Sequence, residues 1–423
     1  LGGKPVRKNK MVLRWPMLDQ EEEDAVVEVI KSGALSTFSA SLDDDFYGGK
    51  NIRAFEREFA DFFGAKDAIA VNSATAGLHC ALAACGVGPG KEVITTPYTF
   101  TATATSVIMH NAIPVFADVD PISFCLDPEA VEKAVTPYTV ALLPVHLYGH
   151  PAPMDELIVI AKEHNLKIVE DCAQAIGAKY KGKSVGLIGD IGVFSFQETK
   201  NMPVGEGGMI ITNNDELADR CRMIRNHGEH LLDGKPRDYI TNIVGWNYRM
   251  NELEAAVGRV QLKKFSFLQE QRKELFEYVR EKLRPLPGIT PPQYVGDIEH
   301  GYHIFGMIYN ANEIGIHRNI FVKAVQAEGI SLFPGYRRIL YLNPLFQNKI
   351  AYGNEGCPFN CSHYKGNVTY EEGICPVAED LMKNTGMVMF DIRPPAGEKE
   401  MDQITEALIK VLDNVDNLKG MSV

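Results

Sequence analysis

The chain has 423 residues, of which 45% are hydrophobic and 23% are charged, a balance that is typical of an ordinary globular protein. Its formal charge is −12, from 43 basic and 55 acidic side chains, and no basic stretch is long enough to bind a nucleic-acid backbone. No run of about 18 apolar residues is present, so we expect a soluble protein that binds neither nucleic acid nor a membrane.

Short β-branched runs alternate with helical patterns between about residues 50 and 215. The predicted strands are DAIAV (67–71), EVITT (92–96), IPVFADV (113–119), VALLPVH (140–146) and KIVED (167–171), with helices predicted over 75–84 and 154–165. Strands that are apolar on both faces and separated by helices favour an α/β fold with a mostly parallel sheet covered by helices. Ligands bind such sheets beyond the carboxyl ends of the strands.

Several of these strand ends carry groups that can bind a ligand. Ser73 and Thr75 begin a helix, whose exposed amides suit a phosphate, although a simple N-cap would select the same residues. In KIVEDCAQ the predicted strand ends on Glu170 and Asp171, which places a carboxylate at the ligand edge unless it caps a turn. Phe100, in PYTFTAT, lies at another strand tip, where stacking on a ligand competes with the core role of most phenylalanines.

A single lysine stands in a glycine-rich loop. SFQETKNMPVGEGGM (195–209) places Lys200 between two β-like runs, whereas most lysines lie on solvated surfaces. Pyridoxal phosphate needs a lysine for its Schiff base, an anion site for its phosphate and a carboxylate facing its pyridine nitrogen. Since separate strand ends supply all three parts, the sequence predicts a pyridoxal-phosphate site.

The second half of the chain begins with a long helical pattern, from about Met250 to Arg284, which RPLPG ends. Strands such as HIFGMIY, an irregular stretch from about 341 to 374 and a closing helix follow. We therefore predict a large cofactor-binding domain over 14–265 and a smaller α+β C-terminal domain over 266–423. The N-terminal arm, residues 1–13, is expected to pack on the smaller domain.

Eight cysteines in a chain of this length do not indicate a disulfide framework. Four of them lie in helix-like or strand-like runs and are expected to be buried thiols: Cys80, Cys85, Cys172 and Cys221. CPFNCSH contains Cys357, Cys361 and His363, with Cys375 beyond it, but this is not a familiar zinc spacing. We expect free thiols, no metal and a cytoplasmic protein.

An ordered set of motifs resembles the DegT/StrS-type sugar aminotransferases, which are fold-type I enzymes that use pyridoxal phosphate. The motifs are NSATAGL, PYTFTAT, HLYGHP, EDCAQAIGA, SFQETKNMPVGEGGM, RNHG and GWNYRMNELEAA. The likeness is dense over residues 14–265 and looser beyond. By this resemblance Lys200 is the Schiff-base lysine and proton shuttle, Asp171 pairs with the pyridine nitrogen, and Gln174 reaches the ring hydroxyl.

The resemblance assigns the remaining cofactor contacts as well. Thr75 and Ala76, through their backbone amides, and Ser195 would hold the phosphate. Phe100 would stack on the ring. Asn247, in GWNYRM, would reach the phosphate of the neighbouring subunit's cofactor, which implies a homodimer with shared active sites. Each role suits its residue type, since amides and hydroxyls donate hydrogen bonds to phosphate.

The implied reaction transfers an amino group from glutamate or glutamine to a keto or aldehydo sugar or cyclitol, in amino-sugar biosynthesis. Many members that act on nucleotide-linked sugars have histidine or another aromatic residue where this chain has Gln197. A glutamine at this position resembles the branch that acts on cyclitol ketones. Neutral drift explains that difference equally well. Arg337 and Arg338 leave a nucleotide-diphospho-keto-sugar acceptor open. A dehydratase, which would lack the lysine, and a non-catalytic regulator are less favoured alternatives.

Overall fold

The structure is a computed structural model that describes residues 3–9, 13–38, 44–229, 241–353 and 355–421. Its helices are α1 (Gln20–Ser32), α2 (Lys50–Phe63), α3 (Ala74–Ala84), α4 (Ala102–Ile108), α5 (Pro128–Ala134), α6 (Met154–Glu163), α7 (Asp215–Arg225), α8 (Glu252–Leu283), α9 (Ala311–Ile314), α10 (Arg318–Ala327), α11 (Pro344–Gln347), α12 (Pro376–Asp380) and α13 (Glu398–Asp413). Within these ranges, none of the helices combines the length and the apolar character that a membrane crossing requires.

The strands are β1 (Asp67–Val71), β2 (Glu92–Thr95), β3 (Ile113–Phe116), β4 (Thr139–Leu143), β5 (Lys167–Asp171), β6 (Lys179–Tyr180), β7 (Lys183–Ser184), β8 (Ile191–Ser195), β9 (Gly208–Thr212), β10 (Ile289–Thr290), β11 (Ile298–Glu299), β12 (Phe305–Tyr309), β13 (Leu332–Phe333) and β14 (Gly386–Met389). Seven of them form one sheet in the order β1-β9-β8-β5-β4-β2-β3. Strands β8, β5, β4, β2 and β3 are parallel, while β9 runs antiparallel to both its neighbours. The prediction of a mostly parallel sheet is confirmed, and β9 is reversed because the lysine loop turns the chain back.

Both faces of this sheet are buried, as the unbroken apolar strands predict. Ile210 of β9 lies in one hydrophobic cluster with Leu78 of α3. Its neighbours Met209 and Ile211 point the other way, into a cluster with Phe59 of α2. This alternation along a single strand means that helices must cover both sides of the sheet.

Helix α8 connects this sheet to a second one. It begins at a capping box, in which Asn251 accepts a hydrogen bond from the Glu254 amide, and it ends at Leu283. Phe265, in its first half, packs in the cluster beside the large sheet, and Phe276, in its second half, packs in the cluster of the small sheet. The small sheet is antiparallel, in the order β10-β12-β14-β13. The division into domains at residue 265 stays a prediction.

The N-terminal arm contacts the region of the small sheet where it is described. The backbone amides of Val6 and Arg7 donate to Glu328, to its carboxylate at 2.8 Å and to its carbonyl at 3.0 Å. Residues 1–2 and 10–12 of the predicted arm lie outside the described residues.

The irregular stretch from 341 to 374 covers the edge of the large sheet. Phe346 and Tyr370 pack against Phe116 of β3, with ring centres 5.3 and 5.7 Å away. The Tyr370 hydroxyl also donates to the Pro114 carbonyl at 2.8 Å. This contact shields the backbone groups of an edge strand from other chains.

The expectation of free thiols is wrong for Cys357 and Cys361, which form a disulfide. The turn through Pro358 brings their Cα atoms to 5.2 Å, within the range that a disulfide spans. The other cysteines are free thiols: Cys80, Cys125, Cys172, Cys221 and Cys375 are buried and Cys85 is partly buried. Spacing alone could not reveal the pair, because the turn decides whether the two side chains meet.

Candidate active site

A cavity of about 430 Å³ opens beyond the carboxyl ends of β5 and β8, within the size range of small-molecule sites. The residues that line it include Ser73, Ala74, Thr75, Thr99, Phe100, Thr103, Asp171, Gln174, Ser195, Gln197, Thr199, Lys200 and Glu206. Six of the eight residues predicted to contact a cofactor are in this group, and Ala76 and Asn247 are not. The rule that ligands gather at strand ends therefore located the cavity.

Asp171 is the last residue of β5, and only 4% of its surface is exposed. Its carboxylate accepts hydrogen bonds from the Thr103 hydroxyl at 2.8 Å and from the Ala173 amide at 3.1 Å. Burial raises the pKa of Asp171, while these two bonds and the charge of Lys200 oppose that shift. Sequence reasoning missed Thr103, although it belongs to the hydroxyl-rich PYTFTAT motif.

Glu170, the other strand-end acid, points away from the cavity. It accepts hydrogen bonds from the amides of Gly186, Ile188 and Gly189, and its carboxylate lies 2.9 Å from Nε2 of His146. Adjacent residues of a strand face opposite sides of the sheet. Glu170 therefore stabilises the fold around β5, and Asp171 alone is free to meet a ligand.

Lys200 lies in the loop between β8 and β9, where its amide donates to the Gln197 carbonyl at 2.8 Å. Burial lowers the pKa of the Lys200 ammonium, and the carboxylate of Asp171 opposes the shift. Lys200 and Asp171, both among the described residues, form no ion pair within 4.0 Å. The two charges therefore face the same cavity without contact, which leaves room for a group between them.

The start of α3 forms a third corner of the cavity. Ser73 caps this helix, and its hydroxyl accepts a hydrogen bond from the Ala76 amide at 3.1 Å. This hydrogen bond engages the amide of Ala76, which is also buried, whereas Ala74 and Thr75 lie at the cavity wall. Amides at a helix start suit an anion. Gly208 allows β9 to pass close to the start of α3, because a Cβ at this position would lie only 2.7 Å from the Ala74 nitrogen.

Gln174 is fixed from two sides. Its side-chain oxygen accepts a hydrogen bond from the Tyr148 amide at 3.1 Å, and its Nε2 donates to the Tyr336 hydroxyl at 3.0 Å. Tyr336 in turn packs edge-on against Tyr98, with ring centres 5.2 Å apart. Sequence analysis missed Tyr336 because it lies 162 residues beyond Gln174. The sequence feature that could have pointed to Tyr336 is the glycine before it, Gly335. In the structure φ of Gly335 is +77°, and a Cβ there would lie 2.5 Å from the Tyr98 hydroxyl.

Phe100 and Asn247 are both exposed, in different settings. Phe100 is 63% exposed, although it lines the cavity, so its ring is available to a bound ligand. Asn247 does not line this cavity; it is the exposed residue of an otherwise partly or fully buried GWNYRM segment, and the nearby Val244 is 73% exposed. A role of Asn247 in its own subunit's cavity finds no support, and its role across a dimer stays a prediction.

The residues present fit pyridoxal phosphate. An amine, a carboxylate and a helix start border one cavity, and the amine and carboxylate do not neutralise each other by direct contact. Lys200 would hold the aldehyde carbon, Asp171 the ring nitrogen, and the start of α3 with Ser195 the phosphate. Phe100, whose exposed ring lines the same cavity, would cover the cofactor ring.

The chain is similar to known proteins over most of its length. The sequence profile of the DegT/DnrJ/EryC1/StrS aminotransferase family matches residues 17–369. A GDP-perosamine synthase of Caulobacter vibrioides is 38% identical, over 78% of this chain and 85% of that one. A putative L-glutamine:3-amino-2,3-dideoxy-scyllo-inosose aminotransferase of Streptoalloteichus tenebrarius is 33% identical, over 99% and 98%. The crystal structure of S. venezuelae DesV in complex with a ketimine intermediate superposes with a TM-score of 0.79, at 32% identity and coverage of 93% and 94%.

Proposed function

Because the chain belongs to the DegT/DnrJ/EryC1/StrS aminotransferase family and is a pyridoxal-phosphate-dependent aminotransferase, we propose that it aminates a keto or aldehydo sugar or cyclitol. The amino donor is glutamate or glutamine, and the product serves amino-sugar biosynthesis. The observation that carries this proposal is the shared cavity of Lys200, Asp171 and the α3 start. Both a GDP-perosamine synthase and a scyllo-inosose aminotransferase are among its relatives.

Pyridoxal phosphate, when bound, supplies an electron sink for the carbon that exchanges its proton. Lys200 has the properties of the proton carrier, because burial lowers its pKa and so increases the neutral fraction that can accept a proton. Asp171 would stabilise a positive charge on the ring nitrogen, since its carboxylate is held in place by Thr103 and Ala173. Gln174, whose side chain is oriented by the Tyr148 amide, would donate to the ring hydroxyl.

The acceptor that we propose is a small ketone or aldehyde without a nucleotide. Gln197 lines the cavity, and its side-chain oxygen accepts a hydrogen bond from the Thr199 amide at 2.9 Å. Its amide nitrogen is thereby directed away from that contact and can donate to a hydroxyl or carbonyl of a neutral sugar ring. The alternative is a nucleotide-diphospho-keto-sugar, whose phosphates could bind the exposed Arg337 and Arg338.

A screen of half-reactions distinguishes these acceptors. The enzyme is first converted to its amino form with glutamate or glutamine, and the visible spectrum is then followed after each candidate acceptor is added. Rapid return of the starting spectrum is expected with free keto-sugars or keto-cyclitols. Return only with nucleotide-linked keto-sugars would reverse the choice of acceptor. No return with any acceptor, or no conversion by either donor, would contradict the proposed reaction.

We further propose a homodimer in which each cofactor contacts both subunits. Asn247 lies outside the cavity of its own subunit and is exposed, as a residue that serves a neighbouring subunit would be. Two-fold dimers are the commonest oligomers, and such a pairing would place each GWNYRM segment in one partner site.

A further inference from the structure

A group of basic and aromatic side chains adjoins the lysine loop at two points. We call Trp15, Arg272, His303 and Arg393 the Trp15 cluster. The Trp15 indole nitrogen donates to the Glu198 carbonyl at 3.0 Å, and His303 Nδ1 lies 3.0 Å from the side-chain oxygen of Asn201. The guanidinium carbons of Arg272 and Arg393 lie 4.6 and 5.1 Å from the centre of the Trp15 ring. Nothing assigned to the cofactor uses these residues.

Arg272 is buried without an anionic partner. Only 1% of it is exposed, and its one described hydrogen bond is a long contact of 3.5 Å from Nη1 to the Tyr302 carbonyl. Its Nε and Nη2 atoms, and Nε of Arg393, are buried with no partner in the described part of the chain. Burying a charged group in this way is costly unless something neutralises it.

The chain itself provides the comparison, since its other deeply buried arginines are well paired. Arg225, also 1% exposed, donates to the Ala70 carbonyl at 2.9 Å and pairs with Glu56. Arg318 donates to a set of backbone carbonyls, those of Pro334, Leu381, Met382, Lys383 and Gly386. Arg225 leaves only Nε without a partner, whereas Arg272 leaves both Nε and Nη2 and has no acidic partner, so its open donors need a different explanation.

The charge of the cluster is positive. Burial and the neighbouring Arg393 lower the pKa of Arg272 to about 9, so Arg272 remains charged at neutral pH. His303 is held neutral by burial and by the charges of Lys200, Arg272 and Arg393. The acid that acts on Arg393 is Asp391, whose own pKa burial raises. Asp391 thus opposes the shift in the pKa of Arg393, whereas the causes of the Arg272 shift include no carboxylate.

We infer that the Trp15 cluster binds a carboxylate of the amino donor, with Arg272 and Arg393 as its ligands. Guanidinium groups bind carboxylates through paired, charge-assisted hydrogen bonds, which supply the partners that Arg272 lacks. In an amino acid the carboxylate lies close to the amine, and the cluster adjoins the loop that carries Lys200. The inference rests on the proposed aminotransferase reaction. Trp15 covers both guanidinium groups, so entry of the carboxylate moves the indole.

The kinetic test uses Arg272→Met and Arg393→Met, with the exposed Arg57→Met as the matched control. Replacing an unpaired buried charge by an apolar side chain is often neutral or stabilising, and thermal melting checks the fold. We expect the glutamate and glutamine concentrations for half-maximal rate to rise about 10- to 100-fold in both test variants, as the loss of a charged hydrogen bond predicts. The reverse half-reaction with an amino-cyclitol or amino-sugar that has no carboxylate should change less than about threefold.

Equal losses with glutamate and with the amine that has no carboxylate, or no loss with glutamate, would overturn the inference. So would a loss confined to acceptors that carry an acid group, because the carboxylate would then belong to a sugar acid. Failure of the proposed reaction would look different, since neither glutamate nor glutamine would then convert the wild-type enzyme to its amino form. The Arg57→Met control should match wild type throughout.

A binding test does not depend on turnover. The chain has 2 tryptophans, so in a Trp246→Phe background the emission comes from Trp15 alone. Glutarate, a dicarboxylate without an amine, is titrated into this cofactor-loaded protein. We expect a saturable change in emission that Arg272→Met abolishes. An unchanged emission, or a response that Arg272→Met retains, would contradict a carboxylate site at the Trp15 cluster.

Discussion

Replacing Asp171 by asparagine removes one charge from the proposed site and changes little else. The amide oxygen can still accept one of the two hydrogen bonds that Thr103 and Ala173 donate to the carboxylate. Lys200, Ser195 and the start of α3 remain to hold the cofactor. We therefore expect the variant to bind pyridoxal phosphate and to lose most of its activity.

The expected loss follows from the charge that Asp171 contributes. An opposite charge in close contact shifts a pKa by about 1–3 units, here that of the ring nitrogen. One unit corresponds to about 1.4 kcal/mol, so the protonated ring loses about 1.4–4 kcal/mol of stabilisation. Such a loss slows the proton-transfer step by about 10- to 1000-fold. The upper part of this range is the expectation, because Asp171 is only 4% exposed and water screens it little.

The assay measures the rate at which glutamate converts the enzyme to its amino form in a single turnover, together with the amount of bound cofactor. Asp155→Asn, at an exposed position in the first turn of α6 and outside the cavity lining, is the control and should behave as wild type. Full cofactor content with near-wild-type conversion in Asp171→Asn would refute the reasoning, since the ring nitrogen would then have another partner. Loss of the cofactor itself would place Asp171 in binding rather than in proton transfer.

Three further predictions concern the same residues. Borohydride reduction of the loaded enzyme should fix the cofactor on Lys200, and a label on any other lysine in the peptide map would contradict that assignment. Burial raises the folded-state pKa of Asp171, so its carboxylate costs stability as the pH rises above the unfolded value of about 3.9. Cofactor-free Asp171→Asn should accordingly melt at a higher temperature than wild type at pH 7, with a difference that shrinks towards about pH 4; a difference independent of pH would point to packing instead. Mixed dimers of Lys200→Ala and Asn247→Ala subunits should regain about half the wild-type activity, because one of their two sites is then intact. Activity no higher than that of the parent variants would refute shared sites.

The sequence predicted the large sheet well because each strand carries its own local pattern. DAIAV and KIVED are apolar runs that end where β1 and β5 end, at Val71 and Asp171. The run predicted over 113–119 continues beyond β3, which stops at Phe116. Apolar composition extends past the last paired residue of that strand: Ala117 and Val119 are buried in the core, although only the Ala117 amide still donates to β2, to the Thr95 carbonyl at 3.0 Å. Periodicity reports burial rather than hydrogen bonding.

The contacts that orient the site could not be predicted in the same way. Tyr336 meets Gln174 and His303 meets Asn201 across separations of 162 and 102 residues. Single-sequence patterns describe neighbours within a few residues, and such pairings depend on how the helices and sheets pack. Motif positions found Asp171 and Lys200, yet they revealed neither Thr103 as a partner of Asp171 nor the open donors of Arg272.

One lysine must serve two substrates in turn, and charge offers a way to separate them. The donor carries a carboxylate, and with Arg272 and Arg393 as its ligands it gains contacts that a neutral acceptor cannot make. A neutral acceptor must instead bind through the cavity wall, where Gln197, Thr199 and Glu206 offer polar groups. Glu206 would repel a carboxylate placed near it, so an acid-bearing ligand is directed towards the arginines. The same lysine can thus meet the two substrates in different orientations without a second active site.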